Sequence, residues 1–445
     1  MRKKDYRYIF ILFVLVGLLA GCNKYLEDKP IQSLTTIDKL QDLQALLNND
    51  INAMRYSANT TLAADEYYFP ASVWSALPQP ERGAYNWESE NYLDAWRQAY
   101  ITVNYANVVL QSLEKIEAGT VSQRNDIRGQ ALFQRAFAFY ELAQVYCRPF
   151  SATANTDPGI ALRTVPDLEV PSKRGTVGET YARITGDLIE AAGLLLPEQQ
   201  YVSRPFQSSA YGLLARTYLA MGDYDNAFKY ADLYLQKTTA LVDFNDVDST
   251  ATPVFKAFTT EIAYRAYAIS QILPRQPPVD SNLYKLYADD DLRKAVYFLK
   301  KPDGTSTFKG SYSILNGNQP FNGIATDEIF LIRAEASARL GNTQSAMQDL
   351  NALLKKRWRK GLYTDRVAAN KEEALELILT ERRKELVYRG TRWTDLRRFN
   401  LEGKNITLRR NIDGTVYELP ANDKRWVWLL PLNVIQLSGM PQNER

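Results

Sequence analysis

The sequence predicts an all-α fold of antiparallel helical hairpins interrupted by loop-rich insertions, and three observations predict it. Apolar residues, chiefly Ala, Leu and Tyr, recur at three- and four-residue spacing along most of the chain, the period of a helix with one buried face. Proline and glycine clusters punctuate these runs, as at Asp157-Pro158-Gly159, Pro274 to Pro278 and Asn316 to Asn322. Two helix pairs also repeat one another: Ala215, Gly222 and Ala227 match Ala334, Gly341 and Ala346 at a constant offset of 119 residues. In each pair a small residue lies two turns before the bend, glycine makes the bend, and alanine follows five residues later. Small residues there let two antiparallel helices approach closely, which is the packing logic of tetratricopeptide hairpins.

The first element is not part of that scaffold. Arg2, Lys3, Lys4 and Arg7 precede an apolar run from Tyr8 to Leu19, and Leu19-Ala20-Gly21-Cys22 follows. The run is shorter than the ~20 residues a membrane span needs, and small residues before a cysteine are what a lipoprotein signal peptidase reads. Residues 1–21 are therefore expected to be a signal peptide and Cys22 the acylated N-terminus, held at a membrane by two or more lipid chains. Helices are then expected at Leu40–Leu47, Leu93–Glu117, Asp126–Tyr146, Val177–Leu195, Gln207–Met221, Tyr224–Lys237, Asp327–Leu340, Thr343–Arg357 and Lys371–Val387. This divides the mature chain, 22–445, into an N-terminal part (22–125), a helical-repeat scaffold (126–240 and 326–400), a loop-rich insertion (241–325) and a C-terminal segment (401–445).

Composition narrows the function. The chain has 54 basic and 51 acidic residues. The four basic residues and one acid of the first 21 account for the excess, leaving 50 of each. Such balance argues against nucleic acid, whose phosphates demand a positive footprint. There is no histidine, which excludes histidine-based triads and histidine-ligated metals; no cofactor and no metal is expected. Cys147 is the second of two cysteines and lies in an apolar helical run, so it is expected to be a buried small hydrophobe without a disulfide partner.

Several stretches together resemble one family. Tyr25-Leu26-Glu27 follows the lipid cysteine; Trp96, Tyr100, Ile101 and Asn104 space along one helix face; Ala131 through Tyr140 and Asp157-Pro158-Gly159-Ile160-Ala161-Leu162 form a helix and the loop after it. Val177, Tyr181, Ile184, Asp187-Leu188 and Ala191 lead to Leu196-Pro197, and the most specific part is Glu381-Arg382-Arg383-Lys384-Glu385-Leu386, Arg389-Gly390, Arg392-Trp393, Asp395-Leu396 and Arg398. This pattern resembles the SusD/RagB family of surface lipoproteins that capture nutrients beside a TonB-dependent outer-membrane transporter. The resemblance implies lipid anchoring in the cell outer membrane facing outward, a SusC-like transporter as partner, and an oligosaccharide or peptide ligand. As bottom-up chemistry, 381–398 reads as a charged helix ending in a glycine turn, with Arg392 and Asp395 forming buried pairs around Trp393, a structural motif.

In the family, the stretches matching 65–92 and 241–325 meet to form the binding face. The first is dense in aromatics, with Tyr67, Tyr68, Phe69, Trp74, Tyr85 and Trp87 among Asp65, Glu66, Glu81 and Arg82. Sugar rings lay apolar C–H faces on such rings while polar side chains hold the hydroxyls. Ligand contacts are thus expected from Asp65, Tyr67, Tyr68, Trp74, Tyr85 and Trp87, joined by Arg275 and Tyr312 on Pro- and Gly-rich loops, with about half of the six aromatics buried instead. Trp74, flanked by small and proline residues, is the expected main platform, and Trp96, with Tyr100 four residues on, the expected packing residue. Three functions compete: a non-catalytic capture protein, a surface glycoside hydrolase and a protein-docking scaffold. A hydrolase needs two carboxylates across a cleft; Asp65, Glu66, Glu81, Glu88, Glu90 and Asp289 to Asp291 supply acids, but none sits in a catalytic motif. No catalytic residue is expected.

Overall fold

The computed structural model describes residues 37–49, 55–88, 95–167, 169–255, 259–269, 272, 275–313 and 319–445. The expected signal peptide, Cys22 and Tyr25-Leu26-Glu27 lie outside the described residues. Ten helices carry the architecture: α1 Leu40–Leu47, α2 Trp96–Leu113, α3 Val121–Tyr146, α4 Val177–Leu194, α5 Gln207–Met221, α6 Tyr224–Leu235, α7 Thr326–Arg339, α8 Thr343–Leu354, α9 Lys371–Glu385 and α10 Arg392–Leu401. Shorter helices lie between them, and the strands among the described residues form five two-stranded pairs. The all-α class therefore holds.

Helix α3 is the axis of the structure. Every residue from Ala131 to Tyr140 is buried, so this helix is enclosed on all sides rather than amphipathic. A capping box starts it: Gln123 N–H donates to Thr120 Oγ1 and Thr120 N–H donates to Gln123 Oε1. At its other end the orphan carbonyls find tertiary donors. Arg397 Nη1 donates to Gln144 O at 2.5 Å, Trp428 N–H to Val145 O at 2.9 Å, and Asn443 Nδ2 to Tyr146 O at 3.0 Å. Its one buried arginine, Arg135, pairs with Asp187 of α4 at 2.8 Å and donates to Asn107 of α2 at 2.9 Å, locking three helices together.

The two repeated pairs are the hairpins α5/α6 and α7/α8. Gly222 and Gly341 take φ of 74° and 88° at the bends, a conformation only glycine adopts without strain. Ala215, Ala227, Ala334 and Ala346 are fully buried between the paired helices. Helix α6 packs on α7, placing the hairpins side by side. Arg333 of α7 reaches Asp232 of α6 and Asp349 of α8, each at 2.8 Å.

The charged helix ends before a glycine turn as expected, and beyond the turn lies a second helix that the sequence reading did not expect. α9 stops at Glu385, Gly390 takes a φ of 72°, and α10 begins at Arg392. Asp395 pairs with Arg382 at 2.9 Å and Arg398 at 3.0 Å, whereas Arg392 turns away to Asp65. Trp393 is fully buried against Trp426, ring centroids 4.5 Å apart. Around α9 lies a buried ionic lattice: Arg293 contacts Asp291, Glu381 and Glu385, and Arg357 contacts Glu385 and Glu261 at 2.6 Å. Leaving one of these desolvated charges unpaired would be strongly destabilising, so the lattice fixes the loop-rich insertion against the scaffold.

Candidate functional site

The two irregular stretches meet along a backbone seam. Tyr68 N–H donates to Pro278 O at 3.0 Å, Asp280 N–H donates to Glu66 O at 2.9 Å, and Tyr67 bridges Val279. The seam brings Tyr68 and the neighbourhood of Arg275 to one surface.

Of the expected contact residues, four are not at that surface. Tyr67, Tyr85 and Trp87 are buried, and they enclose the guanidinium of Arg410, whose central carbon lies 5.7, 3.5 and 4.7 Å from the three ring centroids. Arg410 also donates through Nη2 to the carbonyls of Leu62 and Ala64 at 3.2 and 2.6 Å. The cage is closed by its own polar tips: Tyr67 Oη donates to Leu62 O, Trp87 Nε1 to Ala63 O, and Tyr85 Oη accepts from Phe69 N–H. These aromatics thus stack on an internal cation and are corrected from ligand contacts to core. Tyr312 is corrected likewise: it is 2% exposed, edge-on to Phe255 at 4.5 Å, with Arg389 5.0 Å from its ring.

Asp65 is half-buried and committed. Arg392 holds it with two contacts of 2.7 and 2.8 Å and Arg383 with a third of 3.1 Å. Burial pushes its carboxyl pKa up, but the two guanidinium groups overcome this and hold it well below the usual carboxylate range. Its neighbour Glu66 is fully buried with one donor, Tyr388 N–H at 2.8 Å. Burial pushes its pKa up to about 8, so it stays protonated at neutral pH.

The surface that remains is built on two short helices, Ala71–Ser75 and Gln79–Tyr85, each entered through a proline, Pro70 and Pro78, whose fixed φ suits the cap position. Trp74 sits on the first, half-buried, where a loop was expected. Tyr417 lies 6.3 Å from its ring and the Arg82 guanidinium 5.8 Å. The Nε1 of Trp74 and the Nε atoms of Arg82 and Arg275 are shielded from solvent and have no acceptor. Glu81, beside Arg82, is raised above the usual carboxylate range by partial burial, against the opposing charge of Arg275. Tyr68 is 42% exposed. Of the expected contact residues, Trp74 and Arg275 are half-buried, Tyr68 is exposed, and Asp65 is held by arginines.

Tyr417 was missed. It lies on a hairpin, Leu408–Ile412 with Thr415–Leu419, turned by Asp413-Gly414 with φ of 49° and 81°. An Asp-Gly pair between alternating apolar residues is the short-range signal that would have found it. Trp96 packs as expected, 4.5 Å from Tyr100 and 5.3 Å from Tyr146. One acidic trio, Glu261, Asp327 and Glu385, brings carboxylate oxygens within 4.8 Å of one another. Arg357 and Arg389 neutralise these acids.

Comparison with known proteins agrees over most of the chain. A SusD-like family model described as starch-binding associating with outer membrane matches residues 24–219, and a SusD family model matches residues 294–432. SusD-like protein P2 of Formosa agariphila is 23% identical, the alignment covering 89% of this chain and 91% of that protein. Among solved structures, a SusD superfamily protein from Bacteroides thetaiotaomicron has a TM-score of 0.73 at 18% identity, covering 92% of this chain and 100% of that one. The surface glycan-binding protein A of Bacteroides uniformis has a TM-score of 0.71 at 16% identity, covering 91% and 98%. A SusD-like carbohydrate binding protein from Bacteroides vulgatus has a TM-score of 0.66 at 21% identity, covering 90% and 96%. With two family models spanning about three quarters of its length and the helical-hairpin fold of these structures, the chain belongs to the SusD/RagB family.

Proposed function

We propose that this protein is a non-catalytic, lipid-anchored capture protein of the outer membrane that binds oligosaccharides and hands them to a TonB-dependent transporter of the SusC type. The observation that carries the ligand class is the surface around Trp74. A half-buried indole flanked by Arg82 and Tyr417, with Arg275 and the exposed Tyr68 towards the seam, offers ring faces and guanidinium groups. Sugar C–H faces fit the first and hydroxyl oxygens the second. Relatives described as glycan- or carbohydrate-binding support that reading. The acids near the surface are employed in holding structure, Asp65 by two arginines and Glu66 by burial, which favours binding over hydrolysis. Membrane attachment rests on Cys22 after its apolar leader, and the transporter on family membership.

The test is calorimetric titration of the purified mature chain with a panel of oligosaccharides, beside chain-length analysis of the same glycans. Binding that falls on Trp74→Ala, with glycan lengths unchanged, supports the reading. Reproducible shortening that disappears in Glu66→Gln or Glu81→Gln would turn it to the hydrolase.

A further inference from the structure

A cavity of about 550 Å3 opens between the loop 148–158, the end of α10 and the C-terminal segment 422–444. It shares no residue with the surface around Trp74. One wall contains Arg397, which is 3% exposed. Its Nη atoms cap the last carbonyls of α3, at Gln144 and Cys147, and its Nε has no acceptor. Arg135, Arg216, Arg293, Arg357, Arg389 and Arg398 are buried too, and each faces a carboxylate, whereas Arg410 is held by aromatic rings and two carbonyls. Among the described residues no carboxylate pairs with Arg397. Burial pushes its pKa down against a weaker opposing pull from Tyr181, Cys147 and Tyr140, none of them a carboxylate. A desolvated guanidinium of this kind is a standing attraction for an anion.

The mouth of the cavity adds two exposed cations, and both lean on one carboxylate. Arg148 Nη2 lies 3.5 Å and Lys424 Nζ 3.3 Å from Glu444 Oε2, and Arg148 Nε lies 3.9 Å from Asp157. The residues of these contacts, apart from Asp157, are half or more exposed, so solvent screens them and they hold weakly. Asp423 is already occupied by Arg425, with contacts of 2.9 Å. Glu444 therefore stands where an incoming carboxylate would stand, tied loosely enough to be exchanged. The walls also offer the Trp426 ring, Pro149 and the side chains of Thr153 and Asn422, an apolar and hydrogen-bonding mixture in a volume typical of small-molecule sites.

We propose that this cavity is a second binding site, which takes a carboxylate-bearing saccharide of one or two rings, its carboxylate displacing Glu444 between Arg148 and Lys424. A planar carboxylate suits the guanidinium fork, and Arg397 behind it supplies a charge that solvent does not screen. The proposal is independent of the Trp74 surface.

The experiment titrates the mature chain at low ionic strength with D-glucuronate, D-glucose and acetate, by calorimetry, with thermal melts to establish that each variant is folded. Saturable one-site binding of glucuronate is expected, with no comparable binding of glucose or acetate. The double variant Arg148→Gln/Lys424→Gln should weaken it at least tenfold, Glu444→Gln should tighten it several-fold by removing the internal competitor, and Trp74→Ala should leave it unchanged. Absence of saturable glucuronate binding, equal binding of glucose, or an affinity unmoved in both the double variant and Glu444→Gln would overturn the site. Equal binding of acetate would overturn the saccharide, since the cavity would then recognise a bare anion.

Discussion

Replacing Arg410 by methionine tests whether the aromatic cluster is a cage for an internal cation. The guanidinium lies 3.5 Å from the Tyr85 centroid and 4.7 Å from that of Trp87, in a region shut off from solvent. A desolvated cation–π contact contributes about 2 kcal/mol. Arg410 Nη2 also satisfies the Ala64 carbonyl at 2.6 Å, and a buried carbonyl left unpaired costs about 1–3 kcal/mol. The Leu62 carbonyl keeps the Tyr67 hydroxyl at 3.0 Å and adds little. Methionine fills the aliphatic volume and avoids burying a charge, which offsets part of the loss. The expected net destabilisation is about 2–4 kcal/mol. Arg410→Lys should lose roughly half as much, because an ammonium keeps charge but cannot stack in a plane. Urea unfolding, followed by tryptophan fluorescence and far-ultraviolet circular dichroism, measures both. A stability within about 0.5 kcal/mol of wild type for Arg410→Met, together with a neutral Tyr85→Leu, would refute the cage, since surface substitutions have effects of that size.

Trp74→Ala should weaken glycan binding by about 1–3 kcal/mol, the worth of a lost ring platform, with little change in Tm. Trp96→Ala should lower stability by about 3–5 kcal/mol, because a packed aromatic is truncated, and leave affinity per folded molecule intact; paired calorimetry and melts separate the two. Glu66 is protonated in the folded state up to about pH 8 and only to the ordinary carboxylate range when unfolded. The unfolded chain then binds fewer protons between those values, so stability should fall as pH rises through that window; Glu66→Gln should flatten the profile, and an unchanged slope would contradict the assignment. Cys22→Ser should release the protein from the membrane fraction or leave it unprocessed, and a variant still acylated would contradict the anchor.

The scaffold was legible because helix period and hairpin glycines are local signals. Gln207–Met221 begins and ends where the apolar spacing puts it, and Gly222 and Gly341 bend the chain as the repeat demands. The end of α9 before Gly390 was expected, but the second helix, α10, was hidden because its arginines and acids are buried by pairing that period cannot reveal. The aromatic stretch misled for a related reason. A run of rings among charged residues reads the same whether the cation it faces is a ligand's neighbour or Arg410, which lies more than three hundred residues away in sequence.

That ambiguity has a physical resolution which bears on how the surface works. A loop that presents a platform must be held against the thermal motion of its own backbone, and loops carry few internal hydrogen bonds. Here Asp65 is bound by Arg392 and Arg383 from α10 and α9, Glu66 takes a backbone donor from Tyr388, and Tyr67, Tyr85 and Trp87 close on Arg410 of the hairpin. Three consecutive residues thus tie the stretch to the far end of the chain, and the next, Tyr68, is the one that reaches solvent. The hairpin fastened by Arg410 also carries Tyr417, which stands against Trp74. Loosening the cage should therefore displace one side of the platform as well as lower stability. Arg410→Lys, the milder change, should weaken glycan binding per folded molecule even where the chain remains fully folded, whereas an equally destabilising change in the α5/α6 hairpin, such as Ala215→Gly, should leave that affinity alone. Equal affinities in the two variants at matched stability would mean that the anchors hold the fold and nothing more.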